Sequence, residues 1–518
     1  MATSAHEATI RGPRAAPLSP AGWLAKAWEH RWLGAASAAA IAGALALVSS
    51  VPMPRGPVTG GQGIAVILAS VAVGMAAGYL MRSRWAMLIA PIAYLVAYEL
   101  SRIGIAGASL DGFRLDNVYG VLALLVGRGF HGLLALFPMA VGAGIGVAIA
   151  RPPKRAIALI PTGILSVAVV ALAVLVAIPG STPPVRAADG APVPGSIAEL
   201  ATVELGGQQQ SILVRASDPD DPVLLYLSGG PGQSDLGYGR VLLEPLVADF
   251  VVVVWDQRGT GTSYGALDPT ETLTVDQAVA DTIQLSALLA DRFDEERIYL
   301  LGESWGSTLG VLAAQERPDL FHAYIGSGQM VSQRVTDQII WRDLLAYAER
   351  TQSWELYDQV LTFGEPPYRD TPWSNSIVMG NYPLLETAYD PPADYIERGV
   401  GSGIGPYGVL ASEYGFVDKV NALRGLLDTF SLMYPQLQEI DFRADVPALD
   451  VPVYVLDGEH ELRGRRDLAL EWFAGLSAPT RELVTYADAG HSVVFEQADA
   501  FHRLMVEEIV PATYGAAR

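Results

Sequence analysis

Cysteine is absent from all 518 residues. Disulfide bonds, thiolate metal sites and a cysteine nucleophile are therefore excluded. Histidine is scarce, at seven, so any imidazole chemistry has few possible seats. Basic residues are few outside the N-terminal third. Residues 1–180 carry 13 Lys/Arg against 5 Asp/Glu, and residues 181–518 carry 21 against 50, giving +8 and −29. So acidic a C-terminal part argues against nucleic acid as a partner. It suits an amine-bearing substrate, although a solvated acidic surface explains it equally well.

The N-terminal third is rich in long apolar runs. Five of them, at about 32–51, 63–81, 85–100, within 120–150, and 156–179, approach the roughly 20 residues that a membrane helix needs. The fourth contains Arg128 and His131, so its first part reads as a half-span or an interfacial piece. A cleaved signal peptide does not fit the long polar lead or the repeated runs. Arg11, Arg14, Lys26, Arg31, Arg82, Arg84, Arg151, Lys154 and Arg155 fall on one side of the five spans, and Arg55, Arg102 and Arg114 on the other. The bias predicts a cytoplasmic N-terminus. Five crossings then leave everything after residue 179 outside the cell membrane, and an even number would reverse that.

The expected organisation is a tail over 1–31, a transmembrane bundle over 32–179, and a Pro/Gly/Ala-rich linker over 180–197. An α/β domain follows in two parts, 198–327 and 447–518, with a helical, aromatic-rich cap over 328–446. The runs SILVRA, VLLYLS, FVVVVW, RIYLLG, HAYIGS, VPVYVL and ELVTYA read as strands, and their apolarity suits a buried, mostly parallel, doubly wound sheet. Helices are predicted over 275–293, 304–315, 466–474 and 497–509.

Three motifs carry chemistry. Gly302-Glu303-Ser304-Trp305-Gly306 is a G-x-S-x-G sequence between a predicted strand and a predicted helix, the setting of a nucleophile elbow. Ser304 is the candidate nucleophile, and the Trp305 backbone N–H points at a developing oxyanion. Ser228-Gly229-Gly230-Pro231-Gly232 follows a strand; the N–H groups of Gly229 and Gly230 could complete the oxyanion hole, or the run could be an ordinary tight turn. Gly490-His491-Ser492 follows a late strand, where a general base belongs, with His460 as the one serious rival. The acid that orients the histidine should follow VPVYVL, in Asp457-Gly458-Glu459-His460-Glu461. A turn position reaches the histidine better than one still on the strand, which favours Glu461 over Asp457.

These motifs together resemble the proline iminopeptidase family of α/β-hydrolases over about residues 200–510. SGGPG stands where the family has HGGPG. WDQRGTGTS looks like its D-Q-R-G-x-G-x-S signature, and GESWGSTLG like its G-G-S-W-G-S-x-L elbow. GEHE and GHS align with its acid turn and histidine loop. Ser228, Glu303 and Glu461 depart from the family's histidine, glycine and aspartate. The resemblance implies an aminopeptidase acting on short peptides, without metal or organic cofactor. It also implies carboxylates that hold the substrate's free amine; Glu303, Glu386, Asp390, Asp394, Glu397 and Glu413 are the candidates. An esterase, lactonase or lipid hydrolase with the same three residues, and a silent hydrolase fold used for binding, are the alternatives.

Overall fold

Runs rich in Val, Leu, Ile and Tyr pair into one sheet because both of its faces are covered and every position can be apolar. The computed structural model describes residues 20–368, 370–387, 389–398 and 407–514. Its sheet has eight strands: β1 (Ile197–Leu205), β2 (Gln208–Ala216), β3 (Val223–Leu227), β4 (Val251–Asp256), β5 (Ile298–Glu303), β6 (Phe321–Ser327), β7 (Val453–Gly458) and β8 (Arg481–Tyr486). Their order is β1-β2-β4-β3-β5-β6-β7-β8. β1 and β2 run antiparallel to their neighbours, and all other pairs are parallel.

Alternate residues of each central strand feed two core layers. Leu225, Leu300 and Val455 join Leu285, Leu309 and Trp472 on one face. Leu224, Tyr226 and Leu301 join Leu236, Phe501 and Leu504 on the other. β1 falls where the sequence reading set the end of the linker. Its half-exposed edge position explains its weak apolar signal.

The chain divides into two compact units. The first comprises residues 1–54, 65–103 and 132–172, the second 55–64, 104–131 and 173–518. In the first, glycines set how closely helices approach. A Cβ on Gly74, Gly78 or Gly146 would overlap the carbonyl oxygen of Met139, Ala143 or Met75, so helix Gly60–Met81 packs backbone to backbone on helix Phe130–Ala150. Helices Arg31–Ser50 and Ala86–Ser101 meet along Ala38, Ala42 and Ala46, all fully buried, and Ser49 Oγ lies 3.1 Å from Tyr94 OH.

Among the described residues four helices are long and apolar enough to cross a membrane: Arg31–Ser50, Gly60–Met81, Val118–Ala150 and Ala156–Ala177. The remaining apolar run of the five expected spans forms a shorter helix, Ala86–Ser101. Helix Ala86–Ser101 has 16 residues, about 24 Å at 1.5 Å per residue, against a hydrocarbon core of about 30 Å.

The second unit holds the sheet, the cap between β6 and β7, and two segments that precede the linker, 55–64 and 104–131. Those segments are bound by cap helix Phe416–Met433. Asp428, fully buried on that helix, accepts hydrogen bonds from Ser109 N at 2.6 Å, Tyr264 OH at 2.6 Å, Arg55 Nη1 at 3.3 Å and Ser109 Oγ. Arg55 also pairs with Asp268 at 3.0 Å. Arg424 donates to Val126 O at 2.7 Å and Pro57 O at 3.0 Å. The sequence reading treated residues 32–179 as one region, with Arg55 as a loop charge.

Replacing one member of a buried charge pair strands the other. Asp428→Ala should therefore cost about 3–5 kcal/mol and lower the thermal unfolding midpoint of the detergent-solubilised chain markedly. Asp370→Ala, which removes an exposed pair with Arg114, should shift that midpoint little.

Candidate active site

β5 delivers its last residue, Glu303, to a reversal at Ser304, and helix Trp305–Glu316 starts at the next position. Ser304 sits at φ 53° and ψ −119°, a conformation that non-glycine residues rarely adopt. The turn is held by Ser304 N donating to Ser327 O at 3.0 Å, and by Ser307 N and Oγ donating to Ser304 O at 2.8 and 2.6 Å. Both motif glycines are sterically required. A Cβ on Gly302 would overlap Gly306 O, and one on Gly306 would overlap Leu227 O.

The glycine turn after β3 lies against this elbow. A Cβ on Gly229 would stand 3.2 Å from Ser304 Cβ. Gln257 ties the two together: its Nε2 donates to Ser228 O at 3.0 Å and its Oε1 accepts from Trp305 Nε1 at 2.8 Å. Arg258, the next residue, is bound to Asp281 at 2.9 Å and to Leu205 O at 3.1 Å, which fixes the loop. Sequence reading took WDQRGTGTS only as part of a resemblance. Asp256-Gln257-Arg258 directly after the apolar run VVVVW was the available signal.

Glu461 and His491 come together. His491 Nδ1 is hydrogen-bonded to Glu461 Oε2, while Glu461 Oε1 accepts from Leu462 N at 2.7 Å and Arg465 at 3.2 Å. Burial alone would raise the Glu461 carboxyl. The charges of His491 and Arg465, with the hydrogen bonds, outweigh it and hold the group at about 2. Asp457 is engaged elsewhere, by Arg466 at 2.9 Å and Thr485 Oγ1 at 3.1 Å. His460, the rival base, bonds Thr387 at 2.7 Å and stacks on Tyr389.

Two links bring His491 toward Ser304. Gly328 follows Ser327, the acceptor of Ser304 N, and at φ +55° leaves no Cβ where one would stand 2.9 Å from the His491 ring. Ser492 Oγ donates to Glu303 Oε1 at 3.1 Å, joining the residue after the histidine to the residue before the serine. The histidine loop is itself held by buried Glu496, which accepts from Gly490 N at 2.7 Å and Tyr389 OH at 2.9 Å.

Glu303 is 3% exposed. Burial pushes its carboxyl up to about 7, and Asp235 adds to this, while His491, Ser492 and Arg465 act against it. The other amine candidates stand apart. Glu386, Asp390 and Glu397 are exposed, and Asp394 pairs with Arg398 at 3.3 Å. Glu413 is fully buried, bound to Arg240 at 2.6 Å.

Residues 222–374 match the family described as alpha/beta hydrolase fold. A curated relative, "Probable aminopeptidase YbaC" of Bacillus subtilis (strain 168), is 28% identical over 307 residues, covering 59% of this chain and 94% of that protein. A "Probable proline iminopeptidase" of Leptolyngbya boryana is 24% identical over 300 residues, covering 54% and 84% respectively. The solved proline iminopeptidase of Mycobacterium smegmatis aligns over 60% of this chain and 98% of that one, at 17% identity and a TM-score of 0.43. With its mostly parallel sheet and a family match that includes the glycine turn and the elbow, the C-terminal part of this chain has the α/β-hydrolase fold.

Proposed function

We propose that the chain is a membrane-anchored serine hydrolase that works by acyl transfer at Ser304, as an aminopeptidase of the proline iminopeptidase type on short peptides. The observation that carries this reading is the bond from His491 Nδ1 to a carboxylate held ionised, on a loop linked to the strained Ser304 elbow. His491 Nε2 takes the Ser304 proton as Oγ attacks the carbonyl carbon. The carbonyl electron pair moves onto oxygen, where the N–H groups of Trp305 and the Gly229/Gly230 turn receive it. Glu461 stabilises the imidazolium. His491 then gives its proton to the leaving amine as the C–N bond breaks. Water, deprotonated by His491, attacks the acyl-enzyme and frees Ser304.

The names of the two curated relatives support the peptide reading. A second reading, ester or lipid hydrolysis with the same residues, is favoured by the cap. Of its candidate amine-binding carboxylates, three are exposed and two are paired with arginine. Glu303 is the carboxylate beside the nucleophile.

Ser304→Ala should abolish turnover of proline and alanine arylamides and of acyl esters alike, by on the order of 10⁶ in kcat; undiminished activity would refute the nucleophile. Glu303→Gln separates the two substrate readings. If Glu303 anchors an ammonium, the variant loses arylamide turnover far more than ester turnover. If the substrate is a neutral ester, both persist.

The same substitution has a pH signature in stability. The folded state binds the Glu303 proton more tightly than the unfolded state does, so the wild type loses stability as pH rises from about 4.5 to about 7. Glu303→Gln should therefore raise the unfolding midpoint more at pH 8 than at pH 5 in thermal scans.

For the membrane part, we propose that helix Ala86–Ser101 also crosses. That keeps an odd number of spans and leaves the catalytic part outside. External protease added to intact cells should then remove a C-terminal tag; a protected tag would overturn this orientation.

A further inference from the structure

Among the described residues of the sheet-bearing unit, a cavity of about 410 Å³ opens beside the site. That volume lies within the range of small-molecule pockets, roughly 300–1,000 Å³. Its lining includes polar residues of the loops at the site. Gln233 closes the glycine turn, and Ser492 follows His491 and bonds Glu303. Apart from Ser234 and the tyrosine hydroxyls the rest is apolar, with Leu122, Leu423, Leu426, Tyr395 and Phe495 in its walls. None of the described lining residues is charged. Such a wall favours an uncharged apolar group and would disfavour an ammonium or carboxylate.

Leu122 has an unusual origin. It lies on helix Val118–Leu124, in the 104–131 segment, which precedes the linker and the sheet. That helix is started by Asn117, whose side chain accepts from Gly120 N at 2.8 Å. Its inward residue Ala123 joins Ala108, Val126, Trp373 and Leu427 in one apolar cluster, and Leu122 packs against this cluster together with Leu423. The segment is fixed in place by Asp428 at Ser109 and by Arg424 at Val126 O. Leu122 is thus held by a buried polar seat and an apolar cluster rather than carried on a loose loop.

We propose that this cavity receives the apolar part of the substrate's acyl group, and that Leu122 sets how large a group it accepts. The inference rests on Ser304 being the nucleophile. It makes a segment outside the doubly wound fold a specificity element of the enzyme. In a peptide the apolar part is the N-terminal side chain; in an ester it is the alkyl chain.

The test uses the full-length chain in detergent micelles. Two substrate series are compared, p-nitrophenyl acetate against octanoate and alanine arylamide against leucine arylamide, for wild type, Leu122→Trp, Leu122→Ala and Ser304→Ala. Leu122→Trp should lower kcat/KM for the larger member of at least one series by about tenfold or more, with little change for the smaller. A change in the ester series alone identifies an alkyl chain as the occupant; a change in the arylamide series alone identifies a side chain. Leu122→Ala guards against misfolding of the tryptophan variant, and it should raise the large-to-small ratio. Ratios that stay at the wild-type value in both variants would overturn the role of Leu122 while leaving Ser304 intact. Activity surviving in Ser304→Ala would instead remove the nucleophile on which the inference stands.

Discussion

The reversal at Ser304 is the constraint around which the site is arranged. A single residue must turn β5 into a helix with φ at 53°. The chain tolerates it because glycines at 302 and 306 let the strand, the helix and the end of β3 approach closer than any side chain would allow. Everything near the serine follows from that closeness. The Gly229 turn reaches Ser304 because β3 neighbours β5. The Ser327 carbonyl reaches Ser304 N because β6 lies on the other side. Gly328 then leaves room for the His491 ring. Strand adjacency, more than local sequence, brings loops distant in the chain to one place.

Two glutamates share this small volume and are driven in opposite directions. Both are buried, so burial pushes each upward. Glu461 has a bonded imidazole and an arginine within reach and is held at about 2. For Glu303 burial outweighs the charge of His491, which is not bonded to it; Asp235 adds a like charge, Ser492 is its hydrogen-bond donor, and it rises to about 7. Identical side chains thus differ because of what faces them. Under the proposed mechanism the first stays charged to steady an imidazolium. The second changes charge near neutrality, next to the attacking oxygen.

Much of this was legible in the sequence. The central strands announce themselves through runs such as VLLYL and VVVVW, where period-two alternation is lost because both faces are buried. Asking which position lies beyond the strand edge favoured Glu461 over Asp457, and Glu461 is the carboxylate bonded to His491. What could not be read were features that depend on partners far along the chain. β1 is only weakly apolar because it is a half-exposed edge. Arg55 carries the composition of a loop charge, and nothing local indicates that it is 2% exposed and paired to Asp428. Glu413 looks like a cap carboxylate, yet it is committed to Arg240. Gln257 bridges turn and elbow only once β3, β4 and β5 are side by side.

The seat at Asp428 also bears on the order in which the molecule is assembled. Arg55 and Asp428 are separated by 373 positions, and domains fold broadly in the order in which they are synthesised. The arginine leaves the ribosome long before its carboxylate exists, and so does the helix that carries Leu122. For most of translation these early segments have no counterpart and must stay solvated or be sheltered. The last large piece of the cap is what fastens them. In this chain the N-terminal third is made first, but the carboxylate that fastens its segments 55–64 and 104–131 is made more than 300 residues later.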